Sequence, residues 1–214
     1  MYVALPPTAP APGIVLLPPI FGIEPLICEL ADRYAARGFV VVVPNQFHRD
    51  AEPGIMARTD EGRAKALARA QRVDVDEIVD DVRATVAELR AMPQCNGHVA
   101  IAGFCFGGRY AFLAAARLDV QAAAGFHPAQ IGRSLADASR VHAPLSLHFG
   151  AEDPVTPKDE VDAIAAALAD RPDAAMFTYP GATHNFAIPG VPGYDAEVAA
   201  LAEHRAFALF DQLK

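Results

Sequence analysis

The sequence predicts an α/β protein in which a mostly parallel sheet carries helices on both faces. Along the 214 residues, short apolar runs alternate with longer segments of helical periodicity. The run Phe39–Val43 is apolar throughout, which is typical of a strand buried on both faces. A strand–turn–helix pattern surrounds Cys105, as expected where a parallel strand feeds a helix. No repeat or linker divides the chain, so we expect a single domain over residues 1–214.

The amino-terminal half is predicted to contain three strands and three helices. A proline-rich connector, 6–12, separates the strand Tyr2–Leu5 from the strand Gly13–Leu17. The chain should turn at the proline pair 18–19, because prolines cannot continue a central strand. The elements that follow are the helix Leu26–Arg37, the strand Phe39–Val43 and the helices Asp60–Arg72 and Val75–Arg90.

The carboxy-terminal half repeats the alternation. Its predicted elements are the strand His98–Ala102, the helix Arg109–Ala116, the strands Gln121–Phe126 and Pro144–Gly150, the helix Lys158–Asp170, the strand Ala175–Tyr179 and the terminal helix Asp195–Leu213. In such sheets the reactive site forms at the carboxyl ends of the strands. Cys105, Asp153 and His184 each lie in a loop that follows a predicted strand, so we expect them at one edge of the sheet.

Composition narrows the classes of partner and compartment. The net charge of −8 and the pI near 5.3 argue against a nucleic-acid or anionic-membrane partner. No apolar stretch is long enough to cross a membrane, and the start of the chain lacks signal-peptide features.

The three cysteines, Cys28, Cys95 and Cys105, form no disulfide framework, and we expect a reduced, cytoplasmic setting. Cys28, in a helix pattern, and Cys95, in a Pro/Gly-rich turn, are interpreted as inert. The sequence leaves monomer and dimer both open.

The segment Gly103-Phe104-Cys105-Phe106-Gly107 has the form of a nucleophile elbow with cysteine at its apex. An apical nucleophile sits in a strained conformation, and side chains at either glycine would clash where strand and helix approach each other. The motif alone also fits a buried cysteine before an ordinary helix.

The other two residues complete a possible nucleophile–base–acid set. A thiol needs a base to form the thiolate, and a carboxylate can orient that base. The chain order Cys105, Asp153, His184 is the order of the α/β-hydrolase fold. Asp153 also fits a plain Asp-Pro turn, and His184 a loop histidine that hydrogen-bonds backbone.

Four motifs together resemble the dienelactone hydrolase family of α/β-hydrolases. They are Ile20-Phe21-Gly22, Gly103-x-Cys105-x-Gly107-Gly108, Gly150-Ala151-Glu152-Asp153-x-x-x-Pro157 and Gly181-Ala182-Thr183-His184-x-Phe186. The resemblance runs nearly end to end. It implies that Cys105 is the nucleophile, His184 the base and Asp153 its partner, with an oxyanion hole formed by the N–H groups of Ile20 and Phe106.

Two positions depart from the family pattern. The resemblance places a thiol-activating glutamate directly before Ile-Phe-Gly, where this chain has Pro19. It also places a carboxylate-binding arginine shortly after the histidine, where this chain has Ile188. Arg49, Arg58, Arg63 or Arg109 could supply that cation from elsewhere. Otherwise the chain should prefer neutral substrates.

The function expected on this basis is hydrolysis of small esters or lactones through a thioester, with no cofactor. The alternative is a non-catalytic member of the same fold that binds a small molecule, which the loss of the glutamate at Pro19 motivates. A redox thiol is less favoured, because no resolving cysteine lies nearby in sequence. No histidine pair has metal-ligand spacing, so no metal site is predicted. Further possible substrate-binding residues are Phe21, Phe47, His48, Arg109, His127, Phe186 and Ile188. His127 could instead be a loop histidine that only hydrogen-bonds. Phe47 and His48 could instead lie in a surface loop.

Overall fold

The computed structural model describes residues 1–214 and contains one seven-stranded sheet. Its strands, in chain order, are β1 (Tyr2–Ala4), β2 (Ala11–Leu17), β3 (Val40–Val43), β4 (Cys95–Phe104), β5 (Ala122–Phe126), β6 (Leu145–Gly150) and β7 (Ala174–Tyr179). Across the sheet they run in the order β1-β3-β2-β4-β5-β6-β7. Only β1 is antiparallel to its neighbour, which confirms the prediction of a mostly parallel sheet.

Six α-helices cover both faces of this sheet. They are α1 (Pro25–Ala36), α2 (Asp60–Arg72), α3 (Val75–Ala91), α4 (Phe106–Arg117), α5 (Lys158–Leu168) and α6 (Ala196–Phe210). The apolar faces of α1 and α6 pack on one side of the sheet, and those of α3, α4 and α5 on the other, so the core has two layers. No helix combines the length and the apolar character needed to cross a bilayer.

Several helix starts follow from local capping chemistry. The side chain of Asp74 accepts hydrogen bonds from the first-turn N–H groups of α3, and Asp195 does the same for α6. Thr59 caps α2 through the Gly62 N–H. These contacts explain why α2, α3 and α6 begin within one residue of the positions that the sequence predicts.

The structure corrects four of the predicted boundaries. β2 starts at Ala11, because a register shift between Ala11 and Gly13 accommodates Pro12 beside β4. β4 starts at Cys95, which pairs with Ala11 and therefore does not lie in a turn. α4 begins at Phe106 instead of Arg109. A 3₁₀ segment, Ile131–Arg140, was not predicted, and the terminal helix ends at Phe210 before a second short 3₁₀ turn.

The sheet brings the ends of distant segments to one edge. Because β2, β4, β5, β6 and β7 are parallel, the loops that follow them leave the sheet on the same side. Ile20, Cys105, His127, Asp153 and His184 follow these strands in that order. The fold thereby assembles a cluster from residues up to 164 positions apart in the chain, counting from 20 to 184.

Candidate active site

Cys105 occupies the single residue between β4 and α4. Its backbone has φ 52 and ψ −115, a conformation that L-residues rarely adopt. Three hydrogen bonds hold it there: its N–H donates to the Phe126 carbonyl at 3.0 Å, and its carbonyl accepts from Gly108 and Ala129, each at 3.0 Å. The thiol is thereby presented above the sheet at the start of a helix, where the helix dipole favours negative charge.

The two flanking glycines are required by space. A Cβ atom at Gly103 would overlap the carbonyl of Gly107, and one at Gly107 would overlap the carbonyl of Leu17. This close approach of strand and helix confirms the steric reason given for the glycines of the motif.

His184 and Asp153 form a buried hydrogen-bonded pair. The distance from His184 Nδ1 to Asp153 Oδ2 is 2.7 Å, and the Asp153 side chain is 1% exposed. The other oxygen of Asp153 accepts from the backbone N–H of Val155 at 2.8 Å. Asp153 is therefore at once the turn residue that Asp-Pro suggests and the partner of the histidine.

The surroundings of His184 favour its protonated form. Burial lowers the pKa of His184, but attraction to Cys105 and the hydrogen bond to Asp153 outweigh this effect, so the pKa is raised above its ordinary value. Its Nε2 atom is buried and makes no hydrogen bond. A histidine oriented through Nδ1, with Nε2 free, is suited to exchange a proton with a reacting group.

Two backbone N–H groups near Cys105 are available as donors. The Ile20 N–H makes no hydrogen bond within the protein. Phe106 is the first residue of α4, where an N–H has no acceptor in its own helix. Ile20, Phe106 and Cys105 all line the same cavity.

The cavity has a volume of about 560 Å³. Its lining includes Cys105 and His184 together with the apolar residues Pro19, Ile20, Phe21 and Val155. Such a volume accommodates a small organic molecule. Pro19 presents neither charge nor donor to the cavity.

His127 lies behind His184 and does not line the cavity. It is fully buried, has φ 37 and packs its ring edge-on against His184 at 4.8 Å between centroids. Burial and the nearby His184 hold the pKa of His127 well below its ordinary value. It therefore contacts the histidine of the pair, and a contact between His127 and a substrate stays a prediction.

Of the seven residues predicted to contact a substrate, only Phe21 lines the cavity. Besides His127, five others lie outside the lining. Phe47, Phe186 and Ile188 are buried in the core, where apolar packing holds them away from the opening. His48 is exposed and hydrogen-bonds the Asn45 carbonyl, and Arg109 is buried against Ser134 Oγ at 2.8 Å. Contacts between these five residues and a substrate stay a prediction.

Two of the four candidate arginines do line the cavity, namely Arg58 and Arg63. Arg58 forms a bidentate pair with the buried Glu24, both contacts being 2.8 Å, and stacks over the Phe21 ring. Arg63 has no ion pair and is exposed at the rim. Arg49 instead pairs with Asp81. Sequence analysis missed Glu24, because nothing in a loop carboxylate signals a partner 34 residues away.

Comparisons with known proteins show which family the chain resembles along its whole length. A model described as the dienelactone hydrolase family matches residues 1–214. A carboxymethylenebutenolidase from Pseudomonas putida is 32% identical over 204 residues, covering 95% of this chain and 86% of the relative. A solved structure from Klebsiella pneumoniae superposes with a TM-score of 0.88 at 26% identity, covering 99% of this chain and 92% of that one. The dienelactone hydrolase-like promiscuous phosphotriesterase P91 from metagenomic libraries superposes with a TM-score of 0.75 at 28% identity, covering 96% and 88%.

Proposed function

The chain belongs to the dienelactone hydrolase family, and on that premise we propose that it hydrolyses small esters or lactones through a thioester on Cys105. The observation that carries this proposal is the arrangement of His184. One ring nitrogen is held by Asp153 at 2.7 Å, and the other is buried, unpaired and beside the cavity that Cys105 lines. We further propose that residues 1–214 act as one domain.

Acylation begins with attack of the Cys105 thiolate on the substrate carbonyl carbon. The carbonyl oxygen becomes an oxyanion, which the N–H groups of Ile20 and Phe106 stabilise by hydrogen bonding. When the tetrahedral intermediate collapses, the C–O bond breaks and the leaving alkoxide takes a proton from Nε2 of His184. An ester thus releases an alcohol, whereas a lactone opens and keeps its hydroxyl on the acyl group.

Deacylation reverses the proton transfer. His184, now neutral, takes a proton from a water molecule, and the resulting hydroxide attacks the thioester carbon. The second tetrahedral intermediate expels the Cys105 thiolate, which regenerates the ion pair with the His184 imidazolium. Asp153 stays ionised throughout and stabilises that imidazolium.

The raised pKa of His184 supports activation of the thiol without a glutamate at Pro19. Attraction to Cys105 and the hydrogen bond to Asp153 together raise the pKa of His184, so its imidazole is a ready acceptor for the thiol proton. The first turn of α4 adds favourable backbone dipoles. This is why we favour a hydrolase over the non-catalytic alternative.

The test is stoichiometric trapping with p-nitrophenyl acetate. We expect a burst of one p-nitrophenolate per chain, an acetyl group on Cys105 by mass spectrometry, and then steady turnover. Cys105→Ala should abolish turnover while the protein stays folded, and Cys105→Ser should be poor because a hydroxyl is harder to ionise.

Cys28→Ala is the matched control, because Cys28 is a half-buried thiol in α1 away from the cavity. It should keep the wild-type rate. Retained turnover in Cys105→Ala would refute the nucleophile. Acetylation of Cys105 without release would favour the non-catalytic alternative.

A further inference from the structure

Arg69 is a fully buried cation that has no acidic partner. It lies in α2 with 0% of its surface exposed, and none of its hydrogen bonds goes to a carboxylate. Burying a charge without compensation is costly, and a guanidinium does not escape the cost by losing its proton. The hydrogen bonds of Arg69 go to backbone carbonyls instead, and its buried Nε has no partner, so this arrangement calls for an explanation.

Three backbone carbonyls take the place of the missing carboxylate. Nη1 of Arg69 donates to the carbonyls of Glu52 and Gly54, each at 2.7 Å, and Nη2 donates to the carbonyl of Ile20 at 2.8 Å. The planar fork of a guanidinium can bind several acceptors in fixed directions, which a lysine ammonium cannot do. Arg69 thereby fixes the loop after β2 to the loop before α2.

The contact with Ile20 bears on its N–H group. The Ile20 carbonyl is held by Arg69, and the carbonyl of Pro19 accepts from the Gly22 N–H at 3.1 Å. These two bonds fix the peptide groups on both sides of Ile20. The direction of the Ile20 N–H, which has no partner of its own, follows from them.

A second contact leads from Arg69 to the other proposed donor. The guanidinium carbon lies 3.9 Å from the centre of the Phe47 ring, a distance at which a cation is attracted to the face of the ring. Phe47 in turn stacks on Phe106, with ring centroids 5.2 Å apart and planes inclined by 26°. Arg69 thus supports Ile20 directly and Phe106 through one intervening ring.

We infer that Arg69 is a positioning residue that sets the spacing and direction of the Ile20 and Phe106 N–H groups around the oxyanion. The inference rests on the proposed function, because it concerns stabilisation of the tetrahedral intermediates on Cys105. A merely structural Arg69 would tie the loop to α2 without affecting one chemical step more than another.

Two reactions of the same thiol separate these possibilities. Acylation by p-nitrophenyl acetate passes through an oxyanion and releases p-nitrophenolate. Alkylation by iodoacetamide forms a C–S bond as the C–I bond breaks and releases iodide, and no oxyanion forms. The ratio of the two rate constants at Cys105 therefore reports on the oxyanion hole alone.

The variants are Arg69→Met, which removes the charge, and Arg69→Lys, which keeps it without the fork. Loss of one oxyanion donor costs roughly 10²- to 10³-fold in rate, so misplacing donors should cost at least about tenfold in acylation. Alkylation should stay within about twofold. In steady state the loss should fall on kcat, with KM little changed.

Arg72→Met is the control, since Arg72 lies one turn away in α2, is exposed and pairs with Asp50. It should keep the wild-type ratio. An unchanged ratio in both Arg69 variants, with Cys105 acylated normally, would overturn the inference and leave the proposed function standing. Failure of the wild-type protein to acylate Cys105 would instead overturn the proposed function.

Phe47→Leu keeps the test decisive if neither Arg69 variant folds. It removes the ring between Arg69 and Phe106 and leaves the hydrogen bonds of Arg69 to the carbonyls in place. We expect a selective loss of acylation of at least about threefold relative to alkylation. Equal effects on both reactions would overturn the inference.

Discussion

Two histidines that are largely shielded from water differ in almost every chemical respect. His148 lies in β6 and is hydrogen-bonded to two hydroxyl groups, Tyr179 OH at 2.8 Å and Ser146 Oγ at 3.1 Å. His184 follows β7 and is hydrogen-bonded to the carboxylate of Asp153. Both are largely shielded from water, so burial does not distinguish them.

The pKa values of the two histidines are shifted in opposite directions. Burial, reinforced by the nearby Arg205, lowers the pKa of His148 to about 3, so it stays neutral between its hydroxyl partners. At His184 the attraction to Cys105 and the hydrogen bond to Asp153 overcome burial and raise the pKa. The comparison teaches that neighbours can favour the protonated form of a buried histidine, whereas burial without an acidic partner keeps it neutral.

The strongest test of this comparison is to take the charge from the partner of His184. Asp153→Asn keeps an oxygen for the Val155 N–H but removes the negative charge. The pKa of His184 should fall, the imidazolium should be lost at lower pH, and kcat should fall by up to roughly 10⁴-fold. The measurements are kcat/KM from pH 6 to 9 and ring ¹⁵N chemical shifts of His184.

Asp159→Asn provides the control, because Asp159 is an exposed carboxylate in the first turn of α5. It should leave the rate unchanged. If Asp153→Asn also left the rate unchanged over this pH range, Asp153 would be only a turn residue.

The second test converts the neutral histidine into a hydrocarbon ring. His148 is stacked between Phe126 and Phe177, so His148→Phe should preserve the stack and keep kcat within about threefold. It removes the His148 hydrogen bonds to Ser146 Oγ and to Tyr179 OH, of which only the Tyr179 hydroxyl keeps another partner, Arg205. This loss should lower the free energy of unfolding at pH 7 by about 1–3 kcal/mol.

The pH dependence of stability should change as well. The pKa of His148 is lower folded than unfolded, so its stabilising contribution is present above the unfolded value of about 6.5 and is lost as pH falls toward 3. His148→Phe should therefore show a shallower fall in Tm between pH 6.5 and 4 than the wild-type protein. The fall should not vanish, since the pKa of His127 is lowered too. An equally steep fall, or a large loss of kcat, would contradict a neutral structural His148.

The third test has the smallest expected effect. It asks whether the ion-pair partner of a cavity arginine decides if a charged substrate is accepted. Glu24 neutralises Arg58 at the cavity wall, so the wild-type protein should prefer a neutral ester over its matched carboxylate. Glu24→Gln frees the charge of Arg58 and should raise the carboxylate-to-methyl-ester ratio of kcat/KM about three- to tenfold.

Arg63→Met reports on the unpaired rim cation in the same assay. A wild-type preference for the anion that disappears in Arg58→Met or Arg63→Met would show that a carboxylate-binding site exists despite Ile188. No response to Glu24→Gln would show that Arg58 is not reached by the substrate.

The sequence by itself determined the order of strands and helices and the approximate position of every main element. It also identified Cys105, Asp153 and His184 as residues that meet at one edge. These predictions depend on local patterns, namely apolar runs, glycine spacing and residues that follow strands, and parallel strands then bring their carboxyl ends together. The catalytic roles of the three residues stay a prediction until the trapping experiment is done.

Tertiary structure alone decided what surrounds that cluster. Arg58 lines the cavity and Ile188 is buried in the core. Both lie in loops without hydrophobic periodicity, so the sequence pattern predicts neither position. Arg69 contacts Ile20 across 49 positions of the chain, and His148 is neutral because the folded core buries it near Arg205. Such contacts depend on distances of a few ångströms between separate loops and helices. Charge and hydrogen bonding act through space over those distances, and a linear pattern does not encode them.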